Sequence, residues 1–314
     1  MVKGCRRGRF GTGGRKTVLM DRGRRELLGP GRLVLHVQDR PAPPALRFET
    51  AGGGRILLRQ EGRPVLLGRT AGEGCCRELY LHGLDGYRSP LPPLRSPFMR
   101  SSVNRVHQHA RWLEEADGTP FQDGRWELAH RPFFPPGVWT EDFPRDWPAA
   151  RLGLYCGGGW HGVLPLRRLS PPDAARVRAY RKHAREGTLA PVLLWWVTFL
   201  DGWVVLDGHD RAVAALAEGR TPEGVELSRV PGEEDWRRAA DQVTEGHEHR
   251  MAQLADLPAG PAVDRRRATL ERAYAETLAA LPYGVGPTPF LPLAGSPATW
   301  EDLAARAMFQ CPRD

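Results

Sequence analysis

The sequence predicts an α+β fold: a mixed sheet with helices, an N-terminal β-containing extension and a helical C-terminal part. Three observations carry that expectation. A hydrophobic strand, a tight turn, a second strand, a glycine turn and an alanine-rich helix follow one another between Pro191 and Gly219. A helix-forming segment precedes them, from about Asp173 to Glu186, set off by Pro171-Pro172 and closed by Gly187. Polar helical stretches, 233–257 and 262–281, come after. At 314 residues the chain can bury a sizeable core and carry more than one unit. The expected division is a basic disordered tail (1–30), a loop-rich α+β extension (31–162), a core (163–232) and a helical C-terminal region (233–314).

Charge is concentrated at one end. Residues 1–40 carry eleven Lys or Arg against Asp21, Glu26 and Asp39, an excess that equals the whole net charge of +8. This Gly/Arg-rich stretch has little apolar content, which is the composition of a solvated tail. It is also the only part suited to non-specific contact with nucleic acid. No run of 18 apolar residues predicts a membrane span. An odd number of cysteines (Cys5, Cys75, Cys76, Cys156 and Cys311) forms no CxxC pair, and a reducing cytoplasmic setting is expected. Gly11-x-Gly13-Gly14 has no strand ahead of it and is no dinucleotide fingerprint.

Element by element, Leu33–Val37 is β-rich, and Arg55–Leu58 with Pro64–Leu67 form a hairpin around Glu61-Gly62. The proline-dense stretch 83–102 excludes regular structure. Ser102–Glu115 is a helix, with Val103, Val106, Ala110 and Leu113 on one stripe. Residues 130–162 are a long aromatic-laced connection ending in Gly157-Gly158-Gly159. Val163–Leu166 leads into the core, Pro191–Phe199 is an apolar strand, Asp201-Gly202 turns it, and Trp203–Leu206 returns. Arg211–Glu218 is a buried helix, and Val225–Val230 a further strand. Arg265–Arg267 oppose the dipole at the start of the 262–281 helix, which calls for fraying or an acidic neighbour. Residues 282–297 form a loop and 298–309 a closing helix.

Asp207-Gly208-His209-Asp210-Arg211 is the candidate site. A glycine turn feeding a helix leaves backbone N–H groups unpaired at the helix start, a natural seat for phosphate or carboxylate. Cofactor binding falls to Asp207, Gly208 and Arg211, with Gly208 admitting close approach and Arg211 adding charge-assisted bonds. His209 and Asp210 are the catalytic pair, His209 as a base or neutral donor. Asp207 or Asp210 is the metal ligand. The alternative assignment of the same residues is purely structural: a turn, a helix cap and an ion pair. His107, His109, His130 and His161 lack metal-ligand spacing, and His247-x-His249 fits a solvated helix better than a chelate.

Residues 163–230 resemble the ParB-like N-terminal domain superfamily, which includes sulfiredoxin and free-serine kinases. The resemblance lies in Leu164-Pro165-Leu166, the helix after Pro172, the strand at 192–197, the Asp201-Gly202 hairpin and the 207–211 turn with its helix. It implies a nucleotide (ATP, ADP or CTP, with Mg²⁺) or a phosphorylated small molecule at the turn, with phosphoryl transfer as the further expectation. The chain departs from the pattern. Kinase-like members have a second histidine where Asp210 stands and a glutamate near the lead-in strand, where this chain has Arg167 and Arg168. The partitioning members' Gly-Glu-Arg-Arg is absent. Sulfiredoxin's cysteine is replaced by His209, which removes thiol chemistry. Phosphate binding survives these departures better than phosphoryl transfer. Two alternatives stand beside it: a DNA-associated protein using the basic tail, and a non-catalytic scaffold with a degenerate site.

Overall fold

The computed structural model describes residues 25–72, 77–139, 147–154 and 160–311. Cys5, Cys75, Cys76 and Cys156, the glycine runs at 11–14 and 157–159, and most of the expected tail lie outside the described residues. The tail was expected to reach residue 30, but Arg25–Gly29 is a strand, β1, antiparallel to β2 (Arg32–Val37). A strand partner next in sequence suffices to order it, whatever its composition.

Strands β3 (Leu46–Ala51), β4 (Arg55–Gln60), β5 (Arg63–Ala71) and β6 (Arg77–Gly83) form an antiparallel meander. The expected hairpin is there: Glu61 and Gly62 both have positive φ, the conformation that matches the twist of two paired strands. In the proline-rich stretch one helical turn, α1 (Ser96–Met99), interrupts the loops. Helix α2 (Arg105–Glu115) begins later than expected because the Asn104 side chain caps it, accepting from the amides of Val106 and His107. Val103 is therefore outside the helix and exposed. Strand β7 (Gly124–Arg131) follows, and β8 (Ala149–Leu154) lies inside the stretch expected to be a connection.

The lead-in strand β9 (Val163–Leu164), helix α3 (Ala175–Glu186, closed by Gly187), and strands β10 (Val192–Val197) and β11 (Gly202–Asp207) fall close to their expected places. Helix α4 (His209–Ala217) starts two residues earlier than expected and β12 (Gly224–Arg229) follows. The C-terminal region is a hairpin of two long helices, α5 (Glu233–Ala255) and α6 (Pro261–Ala280). Asp264 in the first turn of α6 is the acidic neighbour that Arg265–Arg267 require. A 3-10 turn (Leu281–Tyr283), a short strand β13 (Phe290–Pro292) and helix α7 (Ser296–Arg306) complete the fold, so the expected 282–297 loop contains a strand.

These strands make two mixed sheets. One runs β1-β2-β7-β12-β10-β11-β9 and the other β13-β3-β4-β5-β6-β8. The first sheet overrides the expected boundary at 163: β12 pairs antiparallel with β7 and parallel with β10, joining the "extension" to the "core". The extension is strand-rich rather than loop-rich. The two sheets pack face to face through Leu33, Leu35, Trp126 and Trp195 on one side and Phe48, Leu58, Leu66 and Leu81 on the other. Phe48 and Trp195 touch across the layers, their ring centroids 5.3 Å apart. Helix α7 closes the outer face of the second sheet by burying Trp300 against Leu57 and Leu67. Among the described residues no helix is long and apolar enough to cross a membrane.

Candidate functional site

Asp207 ends β11, Gly208 turns the chain with φ +94°, and α4 begins at His209 with no side-chain cap. Five consecutive residues thus sit where the first sheet meets the N-terminus of a helix. The structure points their side chains in two directions.

Arg211 faces inward. Its Nη2 donates to Asp207 Oδ2 at 2.8 Å and to the Pro191 carbonyl at 3.0 Å, and the residue is 3% exposed. A Cβ on residue 208 would lie 2.7 Å from that Nη2, so the guanidinium packs on the bare glycine backbone. Asp207 Oδ1 accepts from the Ser89 hydroxyl at 2.6 Å. Burial works to raise the Asp207 pKa, but the Arg211 charge and the bonds from Ser89 and Arg211 outweigh it and hold it below the usual value. Both Asp207 oxygens and the Arg211 Nη2 are engaged, while the buried Arg211 Nε has no partner among the described residues. In this arrangement the pair forms a buried strut, and the bare Gly208 backbone leaves room for the Arg211 guanidinium.

His209 is also committed. Its Nε2 accepts from the Leu166 amide at 3.1 Å, which places the ring proton on Nδ1. Burial, and next the Arg167 charge, push its pKa down to about 3. The ring is neutral, its basic nitrogen holds a backbone N–H, and it pins the lead-in segment to α4. Tyr87 packs nearby, its ring centroid 6.0 Å from that of His209 and its hydroxyl donating to the Leu206 carbonyl.

Asp210 differs from the rest. It is 4% exposed, yet it lies between two cations that reach solvent: Arg167 Nη2 at 3.0 Å from Oδ1 and Arg176 Nε at 3.6 Å from Oδ2. Despite that closeness, Oδ1 has no hydrogen-bond partner of acceptable geometry among the described residues. A buried carboxylate oxygen that lacks a directed donor is costly unless something else supplies one. Arg176 additionally donates to the Tyr180 hydroxyl at 3.2 Å.

Sequence reasoning missed Arg176 and Ser89 and noted Arg167 only as a departure from a family pattern. Arg176 comes from the first turn of α3, and nothing local ties it to Asp210; Ser89 sits in proline-rich loop. His109, read as structural or surface, is fully buried behind the Asp207–Arg211 pair. Its Nδ1 donates to the Arg105 carbonyl at 2.7 Å, and its Nε2 has no partner among the described residues. Burial leads the causes that push its pKa down to about 4.

For the metal assignment, Asp207 is occupied by Ser89 and Arg211, and Asp210 has cations on both sides. Among the described residues no group of three His, Cys, Asp or Glu comes together. His247 stacks on Tyr274 at 4.1 Å and His249 meets Gln253 at 3.0 Å, as solvated helix residues do.

Compared with protein-family models, curated proteins and solved structures, the chain matches none.

Proposed function

We propose that the protein binds a phosphorylated small molecule, a nucleotide being the favoured class, at the N-terminus of α4, held by Arg167, Arg176 and Asp210. The observation that carries this reading is the buried Asp210 carboxylate with one oxygen lacking a donor, set between two solvent-reaching guanidiniums at an uncapped helix start. The guanidiniums and the first amides of α4 suit phosphate oxygens. The lone Asp210 oxygen suits a ligand hydroxyl or amine, the complement a ribose or a phosphorylated alcohol brings. The order β9, α3, β10, β11, α4, β12 is in keeping with the ParB-like resemblance, which favours the same end of α4.

Binding is favoured over phosphoryl transfer because His209 is neutral and engaged. The test is thermal unfolding of the full-length protein with inorganic phosphate, ATP, ADP and CTP, each with and without Mg²⁺. A ligand at one hundred times its Kd stabilises by about 2.7 kcal/mol. The shift is expected in the parent and absent in the Arg167→Ala, Arg176→Ala double variant, whose unliganded Tm is itself lower because buried Asp210 loses both cations. An equal shift in both proteins would end this reading. No shift with any nucleotide would favour the scaffold alternative.

A further inference from the structure

The hairpin of α5 and α6 leaves its own apolar stripe open. The helices meet through Thr244 and Tyr274, whose hydroxyls share a hydrogen bond at 3.0 Å, and His247 stacks on Tyr274. Trp236, Val243 and Met251 on α5 and Leu270 and Leu278 on α6 stay half-buried. Among the described residues Leu254 is the one buried residue on α5, and α6 has none. Two helices do not enclose such a stripe; four do. On one side of the hairpin the result is a groove of about 720 Å³ at its base, walled by Trp236, Ala273, Leu281 and Val285.

Charge on that side sorts by end. Asp235 and Glu276 line the groove. Helical spacing carries the same face from Ala239 to Gly246 and Arg250, and from Ala273 back to Arg266. Leu257 continues it past the end of α5, its amide still bonded to the Leu254 carbonyl. The face is therefore acidic at its base, basic at its tip and small in the middle. Its two ends also carry exposed apolar side chains, Leu257 at the tip (45%) and Val285 at the groove (52%). A surface with opposite charges at its ends complements itself when reversed. A two-fold axis crossing the hairpin near Gly246 and Ala273 sets each tip over the other copy's base. Two helices about 30 Å long and about 10 Å wide offer about 600 Å² per copy, so the pair of faces buries about 1,200 Å², enough for a stable dimer.

We propose that a second copy of this chain occupies the groove, the two hairpins packing end for end into an antiparallel four-helix bundle. Leu257 of each copy then covers Trp236 and Val285 of the other, and the Arg250 and Arg266 end lies over the Asp235 and Glu276 end.

Sedimentation velocity of the full-length protein over a concentration series tests it, alongside two charge-reversed variants: Asp235→Lys with Glu276→Lys, and Arg250→Glu with Arg266→Glu. The parent is expected at twice the chain mass. Each variant alone sets like charges against each other and is expected at the monomer mass. Mixed in equal amounts, the two are expected to return to twice the chain mass, because every base then meets a tip of opposite sign. A hairpin unfolded by mutation could not give that recovery. A monomeric parent, which would leave the groove to a different protein, would overturn the proposal. So would a dimer that persists in either variant alone, or no recovery on mixing.

Discussion

Arg211 and Asp207 bond to each other at 2.8 Å beneath the Gly208 turn, four residues apart, so the candidate turn is braced from within. With Arg211 3% exposed, removing it strands a carboxylate away from water. Arg211→Met is expected to cost about 3–5 kcal/mol. Adding Asp207→Asn should recover part of the loss, because the uncompensated charge disappears. Urea unfolding of the two variants checks this; equal stabilities would show that the charge is not the problem.

Gly208 and Gly187 separate backbone strain from steric clash. Both have positive φ, +94° and +68°, and both lose about 1–2 kcal/mol as alanine from conformation alone. Nothing stands within 4 Å of a Cβ at 187, whereas one at 208 meets the Arg211 guanidinium at 2.7 Å. Gly208→Ala is therefore expected to lower Tm well beyond Gly187→Ala, by displacing Arg211 from Asp207. Matched losses in scanning calorimetry would refute the packing argument.

Acid should unfold the protein through its buried imidazoles. His209 and His109 have folded pKa values of about 3 and about 4, below the ordinary 6.5, so between those limits the unfolded chain binds more protons. Stability is full above pH 6.5 and falls as pH drops through that window. His82 and His183, also lowered by burial, tilt the curve the same way. Asp207, lowered from 3.8, adds its loss only below that pH. His209→Gln can keep an acceptor for the Leu166 amide without the charge, and a shallower slope of unfolding free energy between pH 6 and pH 4 is expected. An unchanged slope would clear His209 of the effect.

Glu226, 3% exposed, gathers three donors: Trp203 Nε1 at 2.8 Å, and Arg131 Nε and Nη2 at 3.1 Å each. Glu226→Leu keeps the bulk but leaves the buried indole N–H unpaired, a loss of about 1–3 kcal/mol. Glu226→Gln can retain the Trp203 bond and should lose less. The urea midpoints rank the parent, Gln and Leu proteins, and a reversed order of the two variants would contradict the assignment.

The most legible parts of the fold were those whose signals are local. Asp201-Gly202 and the apolar runs beside it announced a hairpin, and Gly187 announced a helix end. β7 was harder. Trp126 and Leu128 alternate with Arg125 and Glu127 as in a half-buried strand, but nothing in that period names β2 and β12 as its neighbours. The site followed the same rule. The 207–211 turn was visible as a feature, and the four-residue spacing of Asp207 and Arg211 already suits a helical ion pair. Which way the side chains point depends on Pro191, Leu166 and Ser89, and packing brings those in from distant segments. Arg176 could not be paired with Asp210 for the same reason.

The place of β12 between β7 and β10 bears on how the chain is made. At translation speeds of about 5–20 residues per second, the roughly 90 residues between β7 and β12 take on the order of 5–20 s to emerge. Throughout that interval β7 can pair with β2 on one side, while its other edge waits unpartnered on the ribosome. An open edge of that kind is where neighbouring nascent chains pair wrongly. Crowded polysomes should therefore be the harshest environment this fold meets, and slower synthesis before residue 224 would prolong the exposure.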